Sequence, residues 1–157
     1  MKTVSLTQGQ FALVDDEDHE RVVAAGPWHI HHTQGSLHLY ARHIGPRPSM
    51  VKTLMHRLIL NAQPNQQVDH INGDGLDNRR VNLRLCTHSQ NCANRSKSLS
   101  LTSSRYKGVS RCADCNRWRD SFKARLLGLF TSEEDAARAY DTVARETWGE
   151  FARLNFP

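Results

Sequence analysis

The N-terminal third of the chain alternates short apolar runs with polar segments. Phe11 to Val14 is an apolar run typical of a strand, and the four acids that follow it predict the start of a helix. The segments 28–32 and 37–44 flank a Gln-Gly-Ser sequence at 34–36 and together predict a β-hairpin. This part of the chain is therefore expected to be rich in β structure.

The middle of the chain predicts two strands joined by a turn-rich loop. Val68 to Ile71 is a short β-capable run, and it ends in the turn dipeptides Asn72-Gly73 and Asp74-Gly75. From Val81 to Cys86, apolar and polar residues alternate with the period of a half-buried strand. We expect these two runs to pair.

A helix is predicted directly after the second of these strands. Thr87 and Gln90 have the spacing of a capping box, in which each side chain bonds the other residue's backbone N–H. The helix should run from His88 to about Asn94, with Asn91 one turn in. If it packs across the hairpin, Asn91 converges with the last residues of the first strand.

The residues at this convergence favour phosphodiester chemistry. Asp69 and Asn91 offer hard oxygen ligands of the kind that Mg²⁺ takes in small numbers while it keeps several waters. His70 follows Asp69, so its side chain points away from such a metal, and a neutral imidazole there can deprotonate an attacking water. The pattern predicts a magnesium- or manganese-dependent site.

On these residues the chain resembles the HNH (ββα-metal) endonucleases, particularly those of phage and group I intron homing enzymes. The similar stretch covers roughly 40 residues when His56-Arg57 is included. The resemblance implies that His70 is the general base, that Asp69 and Asn91 are the metal ligands, and that Asn82 clamps the loop between the strands. His70, Asn82 and Asn91 are then the three letters of the motif. A catalytically inactive DNA-binding or regulatory protein on the same fold is the alternative.

The C-terminal third is strongly basic. Between Arg105 and Arg125 there are seven basic residues and two acids, with Trp118 among them, which is typical of a surface that contacts phosphates. A helix is predicted from Ser132 to Trp148, because acids fill its first turn and Gly149 follows it. Its stripe of Ala136, Tyr140, Val143 and Thr147 should pack on a sheet.

From Ser104 to the last residue the chain resembles the ethylene-response-factor (Apetala-2) DNA-binding domain, through S-R-Y-K-G-V-S-R, W-R-D-S-F-K and the helix segment. The resemblance implies a three-stranded antiparallel sheet on one helix, with the sheet reading the major groove of double-stranded DNA. Residues 122–128 leave a shorter second hairpin than the family has. Asp120 should face the helix, where an unpaired carboxylate is costly. The expected DNA contacts are Lys107, Arg111, Arg117, Arg119 and Lys123, joined by Arg84 and His56 in the nuclease motif.

The four cysteines leave a second metal hypothesis open. Cys112 and Cys115 have C-x2-C spacing, and Cys86 and Cys92 could complete a four-thiolate zinc site. Against zinc, the two pairs lie in different predicted modules.

The whole sequence predicts an α+β protein of 157 residues with a net charge of +5, which suits nucleic acid as a partner. No run is long enough to span a membrane, no obligate protein partner is inferred, and the expected location is the cytoplasm of a bacterium or a phage-infected host. The predicted organisation is an N-terminal β-hairpin-rich supporting or DNA-contacting unit at 1–54, the nuclease module at 55–95, a linker at 96–103 and the DNA-binding domain, a small antiparallel sheet packed on one helix, at 104–157.

Overall fold

The structure is a computed structural model that describes residues 1–32, 38–48, 50–97 and 102–157. The chain forms two compact units, Met1–Asn91 (unit 1) and Cys92–Pro157 (unit 2). The small antiparallel sheets and few helices confirm the predicted α+β class. The predicted turn at 34–36, and residues 98–101 of the predicted linker, lie outside the described residues. Within the described ranges, no helix has the length and apolar character needed to cross a bilayer.

Unit 1 contains three small antiparallel sheets, β1-β2, β3-β4-β5 and β6-β7. Two helices, α1 and α2, lie between them, and a third, α3, follows the last strand and ends two residues beyond the unit boundary. In chain order the elements are β1 Lys2–Ser5, β2 Phe11–Val14, α1 Asp16–Ala24, β3 Trp28–His32, β4 Leu39–Ile44, β5 Lys52–Leu54, α2 Met55–Ile59, β6 Gln67–His70, β7 Leu83–Cys86 and α3 His88–Ala93.

One hydrophobic core serves all the sheets of unit 1. The predicted strand at Phe11–Val14, the helix after it and the β3–β4 pairing are confirmed. The indole N–H of Trp28 donates to the carbonyl of Val22 at 2.8 Å, so its polar atom is satisfied inside the core. The first 54 residues therefore pack together with β6 and β7, through Val4, Ala12, Val14, Val22, Trp28, Ala41, Met55, Ile59, Val68 and Leu83.

The second strand of the predicted motif begins later than its alternation suggests. Arg80–Asn82 forms a short 3-10 turn, and β7 starts only at Leu83. The prediction that Val81 faces the core is wrong, since Val81 is 78% exposed. The predicted helix at 88–94 is confirmed as α3, and its capping box forms: Thr87 N–H donates to Gln90 Oε1 at 2.8 Å, and Gln90 N–H donates to Thr87 Oγ1 at 3.3 Å.

Unit 2 contains a three-stranded antiparallel sheet of order β10-β9-β8 that packs on one long helix, as predicted. Its elements are β8 Val109–Arg111, β9 Trp118–Phe122, β10 Arg125–Phe130 and α4 Glu133–Trp148. The short hairpin between β9 and β10 turns at Lys123 and Ala124, whose φ angles are 48° and 63°. Two consecutive positive φ angles are typical of the tight turn that joins adjacent strands.

The buried face of α4 agrees only in part with the predicted stripe. The helix begins after Ser132, whose side chain accepts from the Asp135 N–H. Ala136 and Tyr140 are buried as expected, but Thr147 is exposed and its hydroxyl donates to a backbone carbonyl of the same helix. Ala137 and Ala144 are buried instead, so small side chains let the sheet approach closely.

Candidate active site

The strands β6 and β7 present their polar residues at the end where the connecting loop, residues 71–82, leaves and returns. Asp69 pairs with Arg84 across the two strands, and His70 pairs with Leu83. The Asn82 side chain joins two parts of the loop: its Oδ1 accepts from the Asn72 N–H at 3.0 Å, and its Nδ2 donates to the Asp77 carbonyl at 2.8 Å. These two hydrogen bonds join the beginning and the middle of the loop, as a residue that clamps the loop must do.

Further contacts hold the 71–82 loop from inside and outside. The Asp77 carboxylate accepts from Arg79 Nε at 2.7 Å and from Asn72 Nδ2 at 3.0 Å, and the Arg79 contact lowers the pKa of Asp77. From outside, the Leu13 N–H donates to the carbonyl of Leu76 at 2.8 Å. The loop is therefore a braced structure, although loops generally are more mobile than the elements they connect.

The N-terminal helix contributes a charged brace to the same loop. Arg80 donates to both carboxylate oxygens of Asp18, from Nε at 2.7 Å and from Nη2 at 2.8 Å. Asp18 is only 3% exposed, so its charge depends on this bidentate pair. Because Arg80 begins the 3-10 turn before β7, the pair also fixes where the second strand of the motif starts.

His70 is buried, at 5% exposure, and its ring orientation is fixed. Its Nε2 lies 3.4 Å from Oδ1 of Asn78, whose Nδ2 donates to the carbonyl of Leu76 at 3.2 Å. Since the Asn78 oxygen accepts, the proton of a neutral His70 belongs on Nε2 and the lone pair on Nδ1. Burial lowers the pKa of His70, although the hydrogen bond that His70 donates to Asn78 and the nearby carboxylates oppose this shift. The imidazole is therefore suited to accept a proton near neutral pH.

Two further rings pack against His70. The His56 ring lies edge-on with its centroid 5.0 Å from that of His70, and the Tyr40 ring lies 5.8 Å away. His56 is 6% exposed, its Nδ1 is buried without a partner, and burial lowers its pKa to about 3. The structure thus places His56 beneath His70 as an uncharged neighbour, and its role as a DNA contact stays a prediction.

The two expected metal ligands lie on adjoining elements. Asp69 is 5% exposed, and its Oδ2 accepts from Nε and Nη2 of Arg84 at 2.9 and 2.8 Å. Asn91, on α3, donates from Nδ2 to Oε1 of Gln67 at 2.9 Å. Gln67 and Asp69 are two residues apart on β6 and share a face of the strand. The Gln67 contact therefore brings Asn91 to the face that carries Asp69.

This donor set fits a small hard cation. One carboxylate and one amide are the kind of protein ligands that Mg²⁺ uses when waters and phosphate oxygens complete its shell. In the described part of the chain, no group of three or more His, Cys, Asp or Glu residues could hold a metal. The structure therefore offers no all-protein cage, and Arg84 holds the Asp69 carboxylate.

The alternative four-thiolate zinc site gains no support, since no metal-holding group of cysteines is found among the described residues. Cys112 and Cys115 lie close together, with their Sγ atoms 2.7 Å apart. Cys86 lies on β7, and burial raises the pKa of its thiol to about 11, which disfavours the thiolate that a metal requires.

The expected DNA contacts of unit 2 divide into two groups. The first group is exposed and comprises Arg111, Arg117, Arg119 and Lys123. Two of these cations lie over aromatic rings: the Arg111 guanidinium is 5.0 Å from the Trp118 ring centroid, and Lys123 Nζ is 4.1 Å from the Trp148 ring centroid. Lys107 differs, because it precedes β8 and its Nζ donates to the carbonyls of Ala93 and Arg95 at 2.6 and 2.7 Å. Burial lowers the pKa of Lys107.

Asp120 faces the helix, as its position on β9 predicts. It is 0% exposed, and neither carboxylate oxygen has a hydrogen-bond partner among the residues that the structure describes. Burial, together with the charge of Asp141 on α4, raises the pKa of Asp120 to about 6. The same surroundings raise the pKa of Tyr140 to about 12. The expected cost of this carboxylate is therefore present in the structure.

Three residues that contact the candidate site residues were not predicted from the sequence. Asn78, which is 0% exposed, orients His70; Gln67 contacts Asn91; and Tyr40 packs on His70. Asn78 and Gln67 are ordinary polar residues whose partners lie far along the chain or across a turn. The only local signal was Asn78 within the turn-rich loop, where asparagine is common for other reasons.

Comparisons with known proteins agree with this geometry. Residues 53–93 match the family model described as HNH endonuclease, and this stretch includes β6, β7 and α3. An uncharacterized HNH endonuclease of Acanthamoeba polyphaga mimivirus is 38% identical over 91 residues, which cover 56% of this chain and 46% of that protein.

A second comparison concerns a transcription factor. An AP2-like ethylene-responsive transcription factor of Arabidopsis thaliana is 37% identical over 73 residues, which cover 35% of this chain and 23% of that protein. The chain therefore spans less than half the length of either relative. No solved structure matches it.

Proposed function

We propose that this protein is a metal-dependent HNH endonuclease that hydrolyses phosphodiester bonds of double-stranded DNA. The observation that carries the proposal is the buried, oriented imidazole of His70, which directly follows the buried Asp69 on β6. The match of residues 53–93 to the HNH endonuclease family supports it. The proposed setting is a phage or another mobile element of the homing type, inside the host cell, and its support is the resemblance of the motif and the viral source of one relative.

The general base of the proposed reaction is His70. With its proton on Nε2 facing Asn78, the lone pair of Nδ1 accepts a proton from water, and the water oxygen forms a bond to phosphorus. The bond from phosphorus to the 3′ oxygen breaks, and that oxygen leaves with the electron pair. Asn82 keeps the 71–82 loop in place, so His70 stays at a fixed position relative to the bound strand.

Asp69 and Asn91 are the residues that would hold Mg²⁺ or Mn²⁺. When bound, the metal supplies positive charge at the phosphate and the leaving oxygen. In this structure the Arg84 guanidinium forms a salt bridge with the Asp69 carboxylate. Metal binding to Asp69 therefore requires the guanidinium to give up at least part of this salt bridge. Released from Asp69, the same guanidinium is available to a DNA phosphate, which is the role that its position in the motif predicts.

Unit 2 is proposed to bind DNA through its sheet. The support is the row of exposed cations, Arg111, Arg117, Arg119 and Lys123, on or beside strands whose other face packs on α4. The similarity to an AP2-like transcription factor agrees with this role. Binding of this kind depends on counterion release and should weaken steeply as salt rises.

The first test is cleavage of supercoiled plasmid by the full chain with Mg²⁺ or Mn²⁺. We expect nicked or linear product from the wild type, no product in EDTA, and a loss of at least about a hundredfold in rate for His70→Ala, because general-base catalysis contributes this much or more. His32→Ala is the matched control, since His32 is an exposed histidine on β3.

Two results would contradict the proposal. Cleavage by His70→Ala at the wild-type rate would remove His70 as the base. Intact plasmid in every reaction, repeated with a library of DNA sequences and accompanied by a gel shift, would favour the catalytically inactive DNA-binding protein.

A further inference from the structure

Unit 2 contains a cavity that is lined mainly by cations. Its volume is about 270 Å³, and four basic side chains line it: Lys97, Arg105, Lys107 and Arg153. The remaining lining residues are neutral, so no carboxylate faces this space among the residues that the structure describes. A cavity of this kind selects anions.

The two lysines are held in place by backbone carbonyls. Lys97 Nζ donates to the carbonyls of Tyr106 and Val109 at 2.5 and 2.9 Å, and Lys107 Nζ donates to two carbonyls at the end of α3 and just beyond it. An ammonium group has three N–H donors, so each lysine keeps one for a ligand. The charges are thus fixed in position before a ligand arrives.

The positive charge of the cavity is only weakly neutralised. Within the described ranges, neither lysine has a salt bridge, and the Arg153 guanidinium has no hydrogen-bond or ion-pair partner. Burial lowers the pKa of Lys107, and repulsion from Arg153 lowers it further. Three acids lie near the cavity: Glu133 favours the charged form of Lys97, Glu134 pairs with exposed Arg105 at 3.4 Å, and Asp141 accepts from the lining residue Asn155.

Hydrogen bonds also hold the C-terminal part of the cavity lining in place. Asn155 Oδ1 accepts from the Lys107 N–H at 2.7 Å, and the Asn155 N–H donates to the Asp141 carboxylate at 2.8 Å. The C-terminal segment that carries Arg153 is therefore tied to both α4 and the start of the sheet. A site built in this way needs little reorganisation to bind its ligand.

We propose that this cavity binds a phosphate group of the DNA backbone. Several cations that converge from different segments suit the three-dimensional charge of a phosphate better than a planar carboxylate. The volume exceeds that of a single phosphate group, so the adjoining sugar can enter with it. The proposal rests on the proposed function for its choice of DNA as the source of the phosphate. It adds Lys97 and Arg153, which lie outside the strands, to the DNA-binding surface.

The test separates the site from the nuclease activity. Inorganic phosphate is titrated into the full chain while amide NMR signals are followed, with chloride at equal ionic strength as the control. We expect shifts confined to the cavity, at Lys97, Tyr106, Lys107 and Asn155. Binding of duplex DNA is then measured in EDTA, so that cleavage does not enter, as a function of salt.

Arg153→Gln is the informative variant, because the Arg153 side chain supports no other described group. We expect DNA affinity to fall roughly threefold to tenfold and the slope of log affinity against log salt to fall by about one, the value for one lost phosphate contact. Arg145→Gln is the matched control, since Arg145 is an exposed arginine on α4, outside both the cavity and the sheet.

Two outcomes overturn the proposal. Phosphate shifts in the cavity together with unchanged DNA binding by Arg153→Gln would assign the site to a free phosphate. The absence of shifts, with DNA affinity of Arg153→Gln equal to that of Arg145→Gln, would show that the cavity binds no phosphate. If the full chain does not cleave plasmid but the phosphate shifts and the weaker DNA binding of Arg153→Gln are observed, the nuclease proposal fails and the phosphate site stands.

Discussion

The 71–82 loop of unit 1 and the sheet–helix interface of unit 2 both bury polar side chains, and they treat them in opposite ways. In the loop, Asp77, Asn78 and Asn82 are at most 6% exposed, and each has hydrogen-bond partners. In the interface, Asp120 is 0% exposed, and both of its oxygens lack a partner. Burial of polar groups therefore stabilises the conformation of one region and destabilises the other.

The difference shows where polar burial serves the proposed chemistry. A satisfied polar network fixes backbone geometry, because any change of conformation leaves several groups unpaired. The loop gains this rigidity beside His70, where a base must be held in position. The interface gains no such network from Asp120, whose lone carboxylate only opposes the packing of β9 on α4.

The largest effect is expected from breaking the satisfied network. Asn82→Ala leaves the Asn72 N–H and the Asp77 carbonyl without their partner, which should cost unit 1 roughly 2–4 kcal/mol of unfolding free energy. Urea unfolding followed by NMR signals of unit 1 measures this. Val81→Ala is the control. Val81 precedes Asn82 and is 78% exposed, so this substitution should change the unfolding free energy by less than about 0.5 kcal/mol. Equal unfolding free energies of the two variants would show that the Asn82 hydrogen bonds do not stabilise unit 1.

The next largest effect is expected from relieving the unsatisfied carboxylate. The folded pKa of Asp120 is raised from 3.8 to about 6, so the folded state holds this proton more tightly than the unfolded state. The stability of unit 2 is therefore penalised progressively as pH rises from about 4 to about 6, and the penalty is constant above that. Asp120→Asn removes the charge and should stabilise unit 2 by about 1–3 kcal/mol at pH 7.

Urea unfolding of the wild type and of Asp120→Asn between pH 4 and pH 7 tests the direction of this pH dependence. The difference between Asp120→Asn and wild type should grow over that window and then level off, while Asp114→Asn, at an exposed aspartate, should show no such trend. A variant that is less stable than wild type at pH 7 would mean that the Asp120 carboxylate is compensated.

The smallest effect concerns a carboxylate that is satisfied by a cation. Arg84→Gln removes the guanidinium from Asp69, so Mn²⁺ should bind roughly threefold to tenfold more tightly in calorimetry without DNA. Arg79→Gln removes a similar pair from Asp77, which is not a proposed ligand, and should leave Mn²⁺ binding unchanged. Weaker binding by Arg84→Gln would mean that Arg84 positions the carboxylate for the metal and does not compete with it.

Much of this contrast could be predicted from local sequence. The capping box at Thr87 and Gln90 identified α3, and the resemblance to the ethylene-response-factor domain placed Asp120 toward the helix. The capping box could be recognised because its two partners lie only three residues apart. The class of the fold followed from the same local patterns.

Other features depend on partners that are distant in sequence. Val81 continues an alternating pattern, yet it is exposed because Arg80 bonds Asp18, 62 residues earlier, and Asn82 turns into the loop. In the sequence Lys107 has the pattern of an exposed DNA-contacting lysine, but its ammonium group donates to the backbone carbonyls of residues 93 and 95. Local periodicity carries no information about either partner.

The backbone contact between β2 and the 71–82 loop also bears on how such a domain can be exchanged between genes. Leu13 receives the Asn78 N–H on its carbonyl and donates its own N–H to Leu76, both at 2.8 Å, so a strand encoded near the start of the chain completes the frame around His70. A recombination event that moved only residues 53–93 would transfer the recognisable motif without that strand. The backbone frame around His70 therefore includes β2, which lies outside the residues that match the family model.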